Sequence, residues 1–344
     1  MKLEQSIVAG LSEFGEVGDY LKKIIRNGVI STVDTQMIIE DADFTAVEQG
    51  KVLSAEKQQP LTEIEQNIED ILADFPDKGL VNNNFHELVS SFGKLLFSYI
   101  ASDKQIAEVD SWHEQGIAQF GGFLMADGGG PSIDQWNTVF EKEDDMLHIN
   151  VDKIWIIEGH RLDYGSVSAA STQKLYPSSV LIPPEEFKKL DKTPVGKPFL
   201  DGSLQLGNVS GKVSVSKDNQ LTGGGLAATS VFLSKVRPRF VRSLMGHIQW
   251  LQKNGRANLS EVQLQGVLSL ESIAKQYCLS LMERKPSLPL ALALKFTSNR
   301  ILLDLVISGA VKGLMDQRDL MAFTRMEGSS YRCLFEIYSK TKVR

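Results

Sequence analysis

The hydrophobic period of this chain changes twice, near residues 121 and 222, and that succession restricts the fold more than any single motif does. In residues 64–75, Ile64, Ile68, Ile71 and Leu72 recur at helical spacing, and residues 85–100 repeat the pattern with Leu88, Val89, Phe92, Leu95, Leu96 and Tyr99. Pro76, Asp77, Gly79 and the asparagines 82–84 between them are turn formers. The first fifty residues have weaker periodicity. Over 121–222, Gly, Ser, Asp and Pro become frequent and short β-branched or aromatic runs follow one another closely. Residues 148–157 carry Ile149, Val151, Ile154 and Ile156, residues 165–170 and 179–182 are shorter runs, and residues 204–215 alternate in part through Leu204, Leu206, Val213 and Val215. Short strands with turns between them predict an antiparallel barrel or sandwich. None alternates with a long helix, which argues against a Rossmann-type parallel sheet.

After residue 225 the period returns to that of a helix. Val236, Phe240, Val241, Leu244, Met245, Ile248 and Leu251 form one stripe, with Pro238 expected in its first turn or at a kink. Residues 259–281, 290–311 and 331–338 give three more, and stripes this wide with short joins suggest an antiparallel bundle. The expectation is therefore an α+β chain: an N-terminal helical domain (1–120), a central antiparallel β-barrel or sandwich (121–222) and a C-terminal helical bundle (223–344).

Charge and cysteine content narrow the function. Lys plus Arg number 37 against 43 Asp plus Glu, a net charge of −6 that speaks against a nucleic-acid partner, which requires a basic face. Only Cys278 and Cys333 are present, too few for a disulfide framework or a multi-cysteine metal site, as expected of a reducing compartment. The first twenty residues interleave acidic side chains where a signal peptide needs an apolar run. The longest apolar run, residues 288–294, stops at Lys295, well short of a membrane span. The chain is expected to be soluble and cytoplasmic.

The familiar catalytic signatures are missing: there is no G-x-S-x-G, Walker A, G-x-G-x-x-G or H-E-x-x-H. Glu141, Asp144, Asp145 and His148 can be drawn as a metal cluster, but a charge run ahead of a strand reads better as a solvated turn, and no metal is expected. His247, inside a helical stripe, reads as a packed residue.

Three segments, in this order, carry a resemblance. They are Phe123-Leu124-Met125-Ala126-Asp127-Gly128-Gly129-Gly130-Pro131-Ser132-Ile133-Asp134, then Asp152-Lys153-Ile154-Trp155-Ile156-Ile157-Glu158, then Arg318-Asp319 followed after seven residues by Glu327-Gly328-Ser329. Over residues 85–344 the chain resembles the acyl-CoA dehydrogenase family, whose motifs F-A-L-T-E-P-G-A-G-S-D, G-x-K-x-W-I-T-N and R-D-x(7)-E-G-[TS] stand in that order. The resemblance implies FAD between the β-domain and the bundle, an acyl thioester of CoA or of an acyl carrier protein against the flavin, and an electron-transfer partner. It implies Glu327 as the base that removes the α-proton while hydride leaves the β-carbon, a role that calls for positioning and a dry site. Read without the resemblance, Glu327 is an acidic residue in the first turn of the last helix. Met125, Ala126 and Ser132 would line the flavin edge, and Trp155 would pack on its ring, or else be a core aromatic of the strand. Ile157 stands where the family hydrogen-bonds the flavin with Thr or Ser.

Other positions depart further. The family's R-x-x-F-G segment, which grips the cofactor diphosphate, is absent, leaving Arg256 or Lys253 as displaced substitutes without the same bidentate geometry. Its glycine loop is reduced to residues 308–313. Those departures leave a second reading open, a non-catalytic or half-site subunit completed by a sister chain. A third is a helical scaffold without a β-domain. The wide stripes over 226–311 lead us to expect a homo- or hetero-oligomer.

Overall fold

The computed structural model describes residues 62–130, 133–172, 177–221, 223, 226–280, 288–327 and Cys333. Ser132, the first fifty residues and most of the stripe at 331–338 lie outside the described residues. The elements follow the expected succession: helices α1 (Glu63–Lys78), α2 (Asn84–Ile100) and α3 (Asp103–Glu114), then a β-region, then helices again. The β-region holds β1 (Gly121–Leu124), β2 (Val139–Glu143), β3 (Met146–Ile157), β4 (Tyr164–Ser171) and β5 (Pro177–Ile182). A short helix α4 (Pro184–Phe187), β6 (Asp191–Phe199), β7 (Leu204–Ser216) and β8 (Gln220–Leu221) follow. The last helices are α5 (Leu226–Lys253), α6 (Glu261–Ser280), α7 (Leu288–Ile307) and α8 (Leu314–Phe323). The chain divides into two compact units, Phe85–Phe232 and the remainder on either side of it. The sequence zones follow element type, whereas this division cuts through the helices at both ends of the β-region.

In the unit Phe85–Phe232 the strands form one sheet in the order β6-β7-β3-β2-β4-β5-β8, with β1 beside β4. The class is the expected α+β. The sheet is mixed, however, because β4 runs parallel to both β1 and β2 while the other pairings are antiparallel. Alternation builds its core: Leu147, Ile149 and Val151 of β3 face inward with Val209, Val213 and Val215 of β7, over Leu124, Val167, Val180 and Phe187. In the other unit, Thr62 caps the N-terminus of α1 and Glu65 accepts the Thr62 amide in return, a capping box.

The other unit is helical. Helix α5 begins at Leu226 and carries Pro238 inside, rather than starting at it. Along it Lys235, Arg239 and Arg242 reach Glu65 and Glu69 of α1: Lys235 Nζ lies 3.1 Å and Arg239 Nη1 3.4 Å from Glu65, Arg239 Nε lies 3.0 Å from Glu69, and Arg242 also binds Glu69. Burial opposes ionisation of Glu65, but Arg239 and Lys235 outweigh it and hold the carboxyl below its usual range. Such pairs cost desolvation, so they fix the register of α1 on α5 more than they add stability. Helix α7 is buried on every side from residue 291 to 299. No described helix is long and apolar enough to cross a membrane.

Candidate functional site

The first two motif segments lie side by side. Ile154 N–H donates to the Ala126 carbonyl at 3.1 Å and Gly128 N–H to the Asp152 carbonyl at 3.0 Å, with Asp127 bridging antiparallel to Lys153. Asp127 organises the turn between them. Its carboxylate accepts the amides of Gly129 (3.0 Å), Asn137 (2.7 Å) and Thr138 (3.1 Å) and the Lys153 ammonium (3.2 Å). Burial works against ionisation, yet these donors keep the Asp127 carboxyl below its usual value. Lys153 is fully buried, donates also to the Met125 carbonyl at 3.2 Å, and is pulled down to about 8 by burial, with Asp127 resisting. Asp127 and Lys153 therefore hold the segment containing Met125 and Ala126 against β3. Sequence reasoning quoted both residues within the motifs and assigned neither a role.

A slip in strand phase places Trp155. Inward positions on β3 run 147, 149, 151 and 153, and the next buried apolar residue is Ile156, not 155. The register with β7 shifts between Lys153 and Ile156, and Trp155 takes a left-handed backbone (φ 55°). The bulge turns the indole out of the core, 64% exposed, while Ile156 fills the inward place. The alternative reading of Trp155 as a core aromatic is thereby corrected. The sequence carried the sign, since apolar residues at 149 and 151 resume at 154 and 156, out of phase. Ile157 is half-buried opposite Leu206, Met125 is half-buried and Ala126 exposed.

In the helical unit, Glu327 follows α8 in a turn and has a left-handed backbone (φ 56°), so it is not in a first helical turn. Its carbonyl accepts Nε of the buried Arg237 at 2.8 Å. The residue as a whole is half-buried, yet enough protein surrounds the carboxyl that burial pushes it up, with Arg237 and Lys295 pulling the other way. Sequence reasoning missed Arg237. Its signal was four cations (Lys235, Arg237, Arg239 and Arg242) packed into one helical stripe that is otherwise apolar.

Arg256 is committed elsewhere. Its Nε donates to Asp316 Oδ2 at 2.9 Å, its Nη2 binds Oδ1 of the same carboxylate, and the guanidinium lies 5.2 Å from the Trp250 ring centroid. Lys253 pairs with Asp77. His247 is buried, with Nδ1 accepting the Leu80 amide at 3.2 Å and its ring stacked on Trp250. Of the acidic turn considered for a metal, Asp145 binds Lys217, and His148 lies 2.8 Å from Ser214 Oγ. The residues of the shortened glycine loop, Ser308, Gly309, Ala310 and Lys312, border an open polar cavity of about 390 Å³ with Asn258, Ser260 and Gln263.

No protein-family model and no curated protein matches the chain. Among solved structures it is similar to an acyl-CoA dehydrogenase from Slackia heliotrinireducens, 13% identical, covering 100% of this chain and 97% of that one, with a TM-score of 0.60. A glutaryl-CoA dehydrogenase from Mycobacterium smegmatis in complex with FADH2 is 16% identical over 100% of this chain and 95% of its own, at a TM-score of 0.60. The butyryl-CoA dehydrogenase of Megasphaera elsdenii is 14% identical over 83% of this chain and 99% of its own, at 0.61.

Proposed function

We propose that this chain, which has the acyl-CoA dehydrogenase fold, is a flavoprotein that oxidises an acyl thioester, with Glu327 as its base. The observation that carries the reading is the state of Glu327. A carboxyl raised by burial is a stronger base than one in water, and Arg237 and Lys295 beside it favour its ionised form. FAD, bound to one of the solved relatives in its reduced form, would supply the hydride acceptor. The residues suit the ring end of such a group. An indole that the core has released, 64% exposed, offers a flat face for stacking, and the Asp127–Lys153 clamp holds the backbone of Met125 and Ala126 beside its strand. Ile157 can close the ring edge by contact alone. In this reading Glu327 takes the α-proton onto a carboxylate oxygen, and Arg237 holds the peptide that carries it. The substrate is a thioester of CoA or of an acyl carrier protein, electrons leave to a partner protein, and the chain works as an oligomer.

A second reading is favoured by Arg256, whose donors are taken up by Asp316 and not left to grip a diphosphate. The chain would then be one subunit of a heteromeric complex, with a sister chain completing the cofactor site. Titration of the purified protein with FAD, followed in the visible spectrum, separates the two. Stoichiometric uptake by the chain alone supports the first reading. Uptake only after addition of a co-purifying second chain supports the other, and no uptake in either case rejects both.

A further inference from the structure

Lys295 is the least expected residue of α7. It is fully buried at the middle of a stretch, residues 291–299, with no exposed position. Its ammonium donates to the Phe323 carbonyl at 3.0 Å and to Asn299 Oδ1, and it lies 5.3 Å from the centre of the Phe240 ring. Phe323 closes α8, so the lysine satisfies a terminal carbonyl at the negative end of that helix dipole. Four residues on, Arg237 of α5 binds the carbonyl of Glu327. Two buried cations from two helices thus hold the short segment that presents Glu327, one at each end.

A neutral donor would cap Phe323 without the desolvation of a charge, so the choice of lysine needs an anion to justify it. Among the described residues, the charged or titratable groups that act on Lys295 are Arg237 from α5, and Glu327 and the Cys333 thiol from the chain beyond α8. Among the described residues no carboxylate forms an ion pair with Lys295 or Arg237, and Arg237 Nη1 is buried with no hydrogen-bond partner. We propose that Lys295 is a positioning residue for Glu327, fixing the end of α8 and supplying, with Arg237, the positive field in which the Glu327 carboxylate can exist in a dry site. This rests on the reading of Glu327 as the base.

Burial pulls Lys295 down to about 7, with Cys333 and Glu327 opposing it and Arg237 adding to it, while Glu327 is pushed up by burial and drawn back by both cations. The two groups therefore titrate as a pair, and removal of one must move the other. The test is reciprocal and uses the full chain. In wild type, the Lys295 side-chain resonance, identified by its loss in K295R, titrates near pH 7. In E327Q, which keeps the shape of the side chain, it titrates lower by about one pH unit or more. In K295M the infrared carboxyl band of Glu327, identified by its loss in E327Q, titrates higher by a similar amount, and K295R restores it. If K295M fails to fold, the E327Q measurement decides alone.

A Lys295 titration unmoved by E327Q overturns the proposal. Flavin reduction by acyl-CoA separates this from the functional reading. With an active wild type, K295M shifts the rise of the reduction rate to higher pH. Coupled titrations in a protein that binds no flavin leave the seat of Glu327 standing and remove the redox reading. Active protein with uncoupled titrations does the reverse.

Discussion

Asp127 illustrates how much one side chain can organise. Three amides and one ammonium converge on its carboxylate: Gly129 and Lys153 belong to the two motif segments, Asn137 and Thr138 to the stretch leading into β2. Replacing it by Asn removes the charge and leaves the Lys153 ammonium buried without a counter-ion, which costs about 3–5 kcal/mol when one partner of a buried pair is lost. Chemical denaturation of D127N measures this loss, and a cost under about 1 kcal/mol contradicts the clamp. The pH dependence follows from the same bonds. Because the folded carboxyl is held below its ordinary value of 3.8, its contribution is complete above that pH and is lost as acid protonates it in the folded state. Gly79 makes a second residue-scale test. Its φ is +63° and an added Cβ would lie 2.6 Å from the Trp250 ring, so G79A destabilises by about 2 kcal/mol or more, measured by thermal unfolding.

At the scale of elements, what the sequence disclosed was period, and what it hid was polarity inside the period. Helices α1, α2 and α5 to α7 fall on the apolar stripes, and the β-region falls where turn residues thicken. The start of α5 was not legible, because the glycines at 223–225 blur where the helix begins and Pro238 offered itself as a boundary, although Phe232 and Leu233 already continue the stripe. The parallel pairings of β4 were not legible either, since strand alternation is blind to direction. Glu327 was found through the spacing from Arg318-Asp319. Arg237 and Lys295 were not, because a cation in an apolar stripe reads as a surface residue until the helix is seen to be buried all round. The element ends depend on similar pairs. Arg256 joins the loop after α5 to the first turn of α8 through Asp316, so D316N frees the start of α8. The expected result is faster amide exchange over residues 314–318 and a stability loss of about 1–3 kcal/mol. Unchanged exchange there contradicts the bond's role.

Over the whole molecule, buried lysines make stability depend on pH in a defined sense. Burial pulls the folded Lys295 down to about 7 from its usual 10.5, so between these pH values the unfolded chain binds the extra proton and stability rises with pH. Lys153, at about 8, adds to the upper part of that window. Each fully coupled lysine contributes at most about 1.4 kcal/mol per pH unit. K295M should therefore flatten the rise above pH 7, and an identical slope in wild type and variant shows that the lysine is not held in this way. The chain has a net charge of −6, and several of its 37 Lys and Arg residues are buried in ion pairs. The functional account thus rests on a small-molecule site and a single carboxylate. The most direct measurement is anaerobic mixing of the FAD-loaded protein with acyl-CoA thioesters while flavin absorbance is recorded. Bleaching in wild type, with flavin still bound but unbleached in E327Q, is the result this account predicts; bleaching that survives E327Q, or a protein that takes up no flavin at all, contradicts it.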